Sequence, residues 1–381
     1  MSANMSLRHL GPYSDIVSVA KVRRPLFGSG LVNAEIRKRL KKMLAFTLNN
    51  EQPADMREGA RWTADGVDGA QVSWSVGYGP RTEGWVLKPH GASGRLPGVL
   101  ALHDHGHFKF FGKEKIADGP EGPSPWLRSF RDRAYGGRAF ANLLARQGYV
   151  VVVHDVFLWG SRKFPLEVMP DRDRALGPAV APTIGDGAEG TDIAAYNGSA
   201  YLHEHLVEKY CRVLGVSFAA IAAYEDRVGL NYLLSRDDVD ANRVASMGLS
   251  GGGLRSSLLR ATSDRVSACV IAGMMNTYEE LLDHCMAEHT WMFFPPGLSA
   301  FGDWPDLAGS DAPKPLLVQY LLDDAQFTVD GMRGSDAAIG DRYAAERARE
   351  AYRGEFYPGP HRFDAAMQDA AFSWLNRVLR D

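Results

Sequence analysis

Cysteine is scarce in this chain: Cys211, Cys269 and Cys285 are the three it has. An odd number at such wide spacing excludes a disulfide framework and reads as inert thiols. A sustained basic tract is also missing, and the formal net charge is −3. Nucleic acid is therefore excluded as the main partner, and a neutral small molecule is expected instead. Met1 to Ala20 has no uninterrupted apolar core after a basic start, so neither a secretory signal nor a membrane span is expected there. Cytoplasmic residence follows as the expectation, and Asn197-Gly198-Ser199 reads as a turn rather than a glycosylation acceptor. Internal repeats and low-complexity tracts are absent, although Gly185 to Ser199 is small and polar enough to predict a mobile loop.

What the chain does have is a large apolar supply, 45% hydrophobic residues in 381 with 23% charged, enough for one sizeable core. Asn33 to Phe46 predicts a helix with Ile36, Leu40, Met43 and Leu44 on its inner face and a solvated basic face. Residues 1–60 are expected to form an N-terminal helical extension packed on the core, and 61–381 a single α/β domain. Gly59 to Ala64, Ala70 to Val76 and Gly84 to Lys88 alternate as antiparallel edge strands. A βα rhythm follows: strand Gly98 to Leu102, helix Gly136 to Gln147, strand Tyr149 to His154, strand Val244 to Leu249, helix Gly252 to Arg260, strand Ala268 to Ala272. The expected fold is α/β, a mostly parallel sheet flanked by helices, with functional loops at the carboxyl ends of the strands. Insertions at about 108–135 and 155–202 open on that edge.

The most informative stretch is Gly248-Leu249-Ser250-Gly251-Gly252, which follows a strand and precedes a helix. A serine in that setting reads as a nucleophile elbow, where a side chain at either flanking glycine would collide with the packed helix. A serine nucleophile needs a histidine base and a carboxylate to orient it. Beyond Ser250 the histidines are His284, His289 and His361, and the first two fall in an expected helix from Tyr278 to His289. His361 is left as the base, in the loop after the strand-like Gly354 to Tyr357. The strand Pro315 to Leu322 runs into Asp323 and Asp324, one of which is the acid.

Val99 to Leu102 with His103-Asp104-His105-Gly106-His107, then Gly112-Lys113-Glu114, the elbow, Ala312-Pro313-Lys314-Pro315-Leu316 and Gly359-Pro360-His361 together resemble the acetyl xylan esterase-like branch of the α/β-hydrolases, related to dienelactone hydrolases. The resemblance spans roughly Pro97 to the C-terminus. It implies a Ser250, Asp324, His361 triad, with Asp324 preferred over Asp323 because Asp-x-x-Phe resembles the hydrolase pattern. It also implies an oxyanion hole from the amides of Gly251 and of Gly106 or His107, although His107 stands where that branch usually has a second glycine. The implied activity is hydrolysis of short-chain, acetyl-type esters of a sugar or similar small molecule, without a cofactor. Peptidase, amidase and lactonase chemistry share this fold and triad.

Aromatic residues in the loops feeding this edge, Phe157, Trp159, Trp291 and Phe294 among them, are expected to line the substrate pocket. The cluster His103, Asp104, His105 and His107 also reads as metal ligands, a rival that would make the protein a metal-dependent hydrolase. Cys285 and His289, on one face of the expected helix, are a second such pair, and both readings are weaker than the triad. A non-catalytic binding protein would usually lack a triad member. A homo-oligomer is compatible with the sequence.

Overall fold

The structure, a computed structural model, describes residues 7–28, 30–181 and 192–380. Nine strands form one sheet in the order β1-β2-β3-β5-β4-β6-β7-β8-β9. They are β1 (Ala54–Ala64), β2 (Val67–Ser75), β3 (Thr82–Pro89), β4 (Leu96–Leu102), β5 (Val150–His154), β6 (Val239–Leu249), β7 (Ala268–Ala272), β8 (Leu316–Leu321) and β9 (Tyr352–Tyr357). β1, β2, β3 and β5 pair antiparallel in sequence, whereas β5, β4, β6, β7, β8 and β9 run parallel. The mostly parallel sheet is as expected, with its antiparallel part confined to one end.

Strand periodicity divides the core into two layers. Val99 and Ala101 of β4 face Phe140, Leu144, Met367 and Leu375, on helices Phe140–Arg146 and Ala365–Arg380. Leu100 and Leu102 face the other way, onto Tyr224, Val228, Leu233 and Leu259 of helices Phe218–Leu234 and Gly251–Thr262. Helices on both faces bury the central parallel strands, which is why β4 and β5 read as continuous apolar runs, whereas the outer β9 is only partly buried.

Several boundaries differ from expectation. β1 begins at Ala54, inside the 1–60 span expected to be helical, and the sequence hides it because its residues are mostly exposed and carry no alternation. It is an edge strand with register shifts between Ala54 and Arg57 and between Glu58 and Arg61, held by its ladder to β2 rather than by burial. The helix expected at Gly136 to Gln147 is shorter, Phe140–Arg146, and a separate helix, Pro125–Tyr135, precedes it within the expected insertion. Gly136 and Gly137, both at positive φ, end helix Pro125–Tyr135. The expected mobile loop at Gly185 to Ser199 lies outside the described residues up to 191, and from Asp192 onward is helix Asp192–Val213. Asn197, Gly198 and Ser199 are buried in that helix, so the expected turn is not there. A Cβ on Gly198 would lie 2.1 Å from the Gly177 carbonyl oxygen, so this helix crosses Asp171–Val180 almost backbone to backbone.

The N-terminal helix Asn33–Met43 buries Ile36 and Leu40 and packs on helices Gly251–Thr262 and Trp304–Gly309. Its basic face is partly paired, with Arg37 bound to Asp311 and Asp264. Cys211 and Cys269 are buried and Cys285 partly so, all with free thiols. Among the described residues no helix is long and apolar enough to cross a membrane.

Candidate active site

β6 ends at Leu249 and delivers Ser250 at φ 54°, ψ −119°, a conformation that non-glycine residues hold only when their surroundings enforce it. Two backbone hydrogen bonds do so: Ser250 N–H donates to Ala272 O at 2.8 Å, and Leu254 N–H donates to Ser250 O at 2.8 Å. The flanking glycines are sterically required. A Cβ on Gly248 would lie 2.5 Å from Leu102 O, and one on Gly252 would lie 2.1 Å from the same atom. The helix can therefore start directly against the end of β4.

β8 and β9 bring the other two residues together. Their ladder continues past the strand ends, with Leu322 N–H donating to Tyr357 O at 2.9 Å and Gly359 N–H to Asp323 Oδ2 at 2.6 Å. Asp323 thus ties one loop to the next from an exposed position, while Asp324 turns inward and is buried. Asp324 Oδ2 lies 2.5 Å from His361 Nδ1, and Asp324 Oδ1 accepts the Gln326 amide at 2.9 Å. Both carboxylate oxygens are engaged, so the ring is held at a fixed angle. His361 Nε2 and the Ser250 hydroxyl have no protein partner among the described residues, and both residues line one cavity of about 260 Å³.

That cavity is also lined by His105, His107 and His289, and electrostatics separate the four imidazoles. Burial pushes His105 and His107 down, and brings His289 to about 4, so all three are neutral near pH 7. Burial also disfavours the charged form of His361, but the Asp324 charge and hydrogen bond, with a smaller push from Asp104, leave it above the ordinary 6.5.

The loop after β4 does not use its amides as expected. His107 N–H donates to His105 Nδ1 at 3.1 Å, which takes His107 out of the set of free donors. Among the described residues the amides of His105 and Gly106 donate to no protein acceptor. The His105 nitrogen lies only 2.5 Å from where a Gly251 Cβ would be, so the His105 backbone sits directly over the first residue of the helix. Gly251 N–H, at the first helical position, has no intrahelical acceptor. Gly106 and His107 are both left-handed, at φ 55° and 52°.

The four aromatics expected to line the pocket do not reach it. Trp159 is buried behind the loop, where its Nε1–H donates to His105 O at 3.2 Å and its ring stacks on Phe218. Phe157 packs edge-on against Phe164 and Phe218. Trp291 is part-exposed and donates to His205, and Phe294 stacks on Tyr278 and lines a separate cavity with Phe27 and Pro295. Aromatic content in a loop says nothing about which way each ring turns, which is why these assignments failed. The apolar walls are instead Phe130, Leu254, Met274, Phe293 and Phe327. Of these, Phe327 had a sequence signal as the last residue of Asp-x-x-Phe, and Phe293 as a member of the aromatic run His289, Trp291, Phe293 and Phe294.

The metal-ligand readings also dissolve in the geometry. His103 Nδ1 lies 3.0 Å from Asp104 O, Asp104 is bonded to Tyr135 and Lys115, and His105 Nε2 to Glu204, so these side chains diverge. Cys285 and His289 share no helix, since the helix stops at Leu281 and Cys285 is left-handed. Among the described residues no group of three or more His, Cys, Asp or Glu side chains converges on a common point.

No protein-family model matches the chain. Among curated proteins it is similar to one from Bacillus subtilis (strain 168) named "Putative hydrolase YtaP", at 21% identity over 296 residues, 77% of this chain and 83% of that protein. Among solved structures it is similar to "a putative acetyl xylan esterase" from Bacteroides fragilis NCTC 9343, with a TM-score of 0.67 at 16% identity, covering 93% of this chain and 84% of that one. It is likewise similar to the glucuronoyl esterase from Solibacter usitatus, with a TM-score of 0.60 at 14% identity over 100% and 98% of the two chains. Acetyl xylan esterase 1 from Thermoanaerobacterium sp. JW/SL YS485 gives 0.55 at 12% over 93% and 96%. The shared feature at such identities is the fold, and the chain has the α/β-hydrolase fold.

Proposed function

We propose that the protein is a serine carboxylic-ester hydrolase working through Ser250, His361 and Asp324. The observation that carries this reading is the meeting, in one cavity, of a strained serine with an unbonded hydroxyl and a histidine whose far nitrogen is locked to a buried carboxylate. His361 Nε2 takes the Ser250 proton as Oγ attacks the ester carbonyl, and Asp324 stabilises the imidazolium without itself being protonated. The oxyanion is held by the amide of Gly251 and that of His105, with Gly106 next to it in the loop. His361 then returns the proton to the leaving alcohol, and a water activated by the same ring releases the acid.

The substrate we infer is a short-chain ester, acetyl or close to it, of a sugar or similar small molecule. Supporting this are the modest cavity, walled by Phe130, Met274, Phe293 and Phe327, and the esterases that share the fold. A fluorophosphonate probe with peptide mapping tests the nucleophile. The expected result is a label on Ser250 that His361→Ala abolishes. Folded protein that takes no label would overturn the assignment, and an ester panel of increasing acyl length then reads the pocket.

A further inference from the structure

The cavity wall facing the strand ends is organised around one buried carboxylate. Glu204, on helix Asp192–Val213, is 5% exposed. Its Oε2 lies 2.9 Å from His105 Nε2 and also accepts from Lys109 Nζ, while Oε1 accepts from Thr290 Oγ1 at 2.6 Å and Trp291 N–H at 3.1 Å. Burial alone would raise its carboxyl pKa, but Lys109 and His105 hold it well below the ordinary range, so it is ionised. One side chain thereby joins the loop after β4, the insertion helix and the wall around Thr290.

The direction of the hydrogen bonds through His105 matters. Nδ1 accepts from His107 N–H, so the ring proton must be on Nε2 and donated to Glu204. The imidazole is thus a strut between a carboxylate and the backbone of its own loop. What it braces is a pair of consecutive left-handed residues, Gly106 and His107, of which the second carries a side chain and is strained there. The same loop holds the His105 amide over Gly251.

We propose that Glu204 is a positioning residue for the oxyanion hole, acting through the His105 ring to fix the His105 amide against Gly251. This rests on the serine-esterase reading above. A carboxylate, rather than any acceptor, is needed because it must hold the Nε2 proton and balance buried Lys109 while still receiving Thr290 and Trp291. Loss of the charge lets the loop relax, and the donor drifts from the position the oxyanion occupies.

The test is steady-state kinetics of Glu204→Gln on a short-chain ester, with thermal melting, fluorophosphonate labelling and inhibition by a short alkyl boronic acid. The expected result is a roughly 10- to 100-fold fall in kcat, at or below the loss for outright removal of one oxyanion donor, with KM within about twofold. Boronate affinity should fall in parallel with kcat, since the boronate mimics the tetrahedral state and the ground-state substrate does not. Wild-type kcat in the folded variant would overturn the proposal. If Glu204→Gln melts early, Glu204→Leu combined with Lys109→Met removes both buried charges. Stability regained with kcat still low supports the positioning role, and stability and kcat regained together overturn it. Wild-type protein that neither takes the probe nor cleaves any ester would overturn the esterase reading first, and this proposal with it.

Discussion

Two histidine–carboxylate pairs border the same cavity, and they are wired in opposite ways. At the strand ends His361 is bound to Asp324 through Nδ1, and its other nitrogen is free toward the cavity. On the insertion side His105 is bound to Glu204 through Nε2, and its other nitrogen is spent on the His107 amide. Among the described residues the first carboxylate has the ring as its only side-chain partner, so its charge raises the ring's pKa. The second is shared with Lys109, which offsets that charge, and burial then keeps His105 neutral. A histidine beside an acid is therefore not enough to make a base. What decides is whether the distal nitrogen is open and whether the carboxylate belongs to the ring alone.

The largest effect that would test this contrast is Asp324→Asn, expected to lower kcat by about 10⁴-fold through loss of the ring's tautomer and charge partner. Asp323→Asn, which removes only the charge from the side chain that accepts the Gly359 amide, should cost at least an order of magnitude less. Equal losses measured for the two variants would break the distinction between the neighbouring aspartates. Next in size is Gly251→Ala. Its methyl would press on the His105 nitrogen, and kcat should drop on the order of 100-fold, with a lower melting temperature because backbone must give way.

The pH dependence sharpens the same comparison. His361 must be neutral to act as base, so kcat/KM should rise with pH through its pKa and show an acid limb above 6.5. His289, brought down to about 4, and the depressed His105 and His107 would place the limb lower. A limb clearly under 6.5 would point to one of those rings. The smallest effects concern the walls. Phe327→Ala should raise KM for a short-chain ester roughly tenfold by removing one apolar face, whereas Trp291→Ala, turned away toward His205, should change it less than about twofold.

The difference between the two sides also explains which features are legible in the sequence. The parallel strands and the elbow are legible because local constraints write them: apolar runs where both faces are buried, and glycine wherever a Cβ would strike Leu102 O. His361 was reachable by elimination. Only the Asp-x-x-Phe pattern favours Asp324 over Asp323, because a one-residue change of direction after β8 decides which carboxylate turns inward. Glu204 carried no local sign at all. It meets His105 across 99 positions of chain, from a helix that only begins inside the stretch that reads as a loop. The pocket aromatics failed for a related reason, since Trp159 and Phe157 are drawn into packing with Phe218, on a helix whose position only the folded chain reveals.

β1 has a consequence for how this molecule meets its own copies. An outermost strand with free hydrogen-bonding groups invites a neighbour to extend the sheet, yet this one is bent by its register shifts and carries Asp55, Arg57, Glu58 and Arg61 into solvent. Charge and curvature together make it a poor template for strand addition. Concentrated samples should therefore resist fibrillar, edge-to-edge growth from this side, and any self-association would have to use a different face.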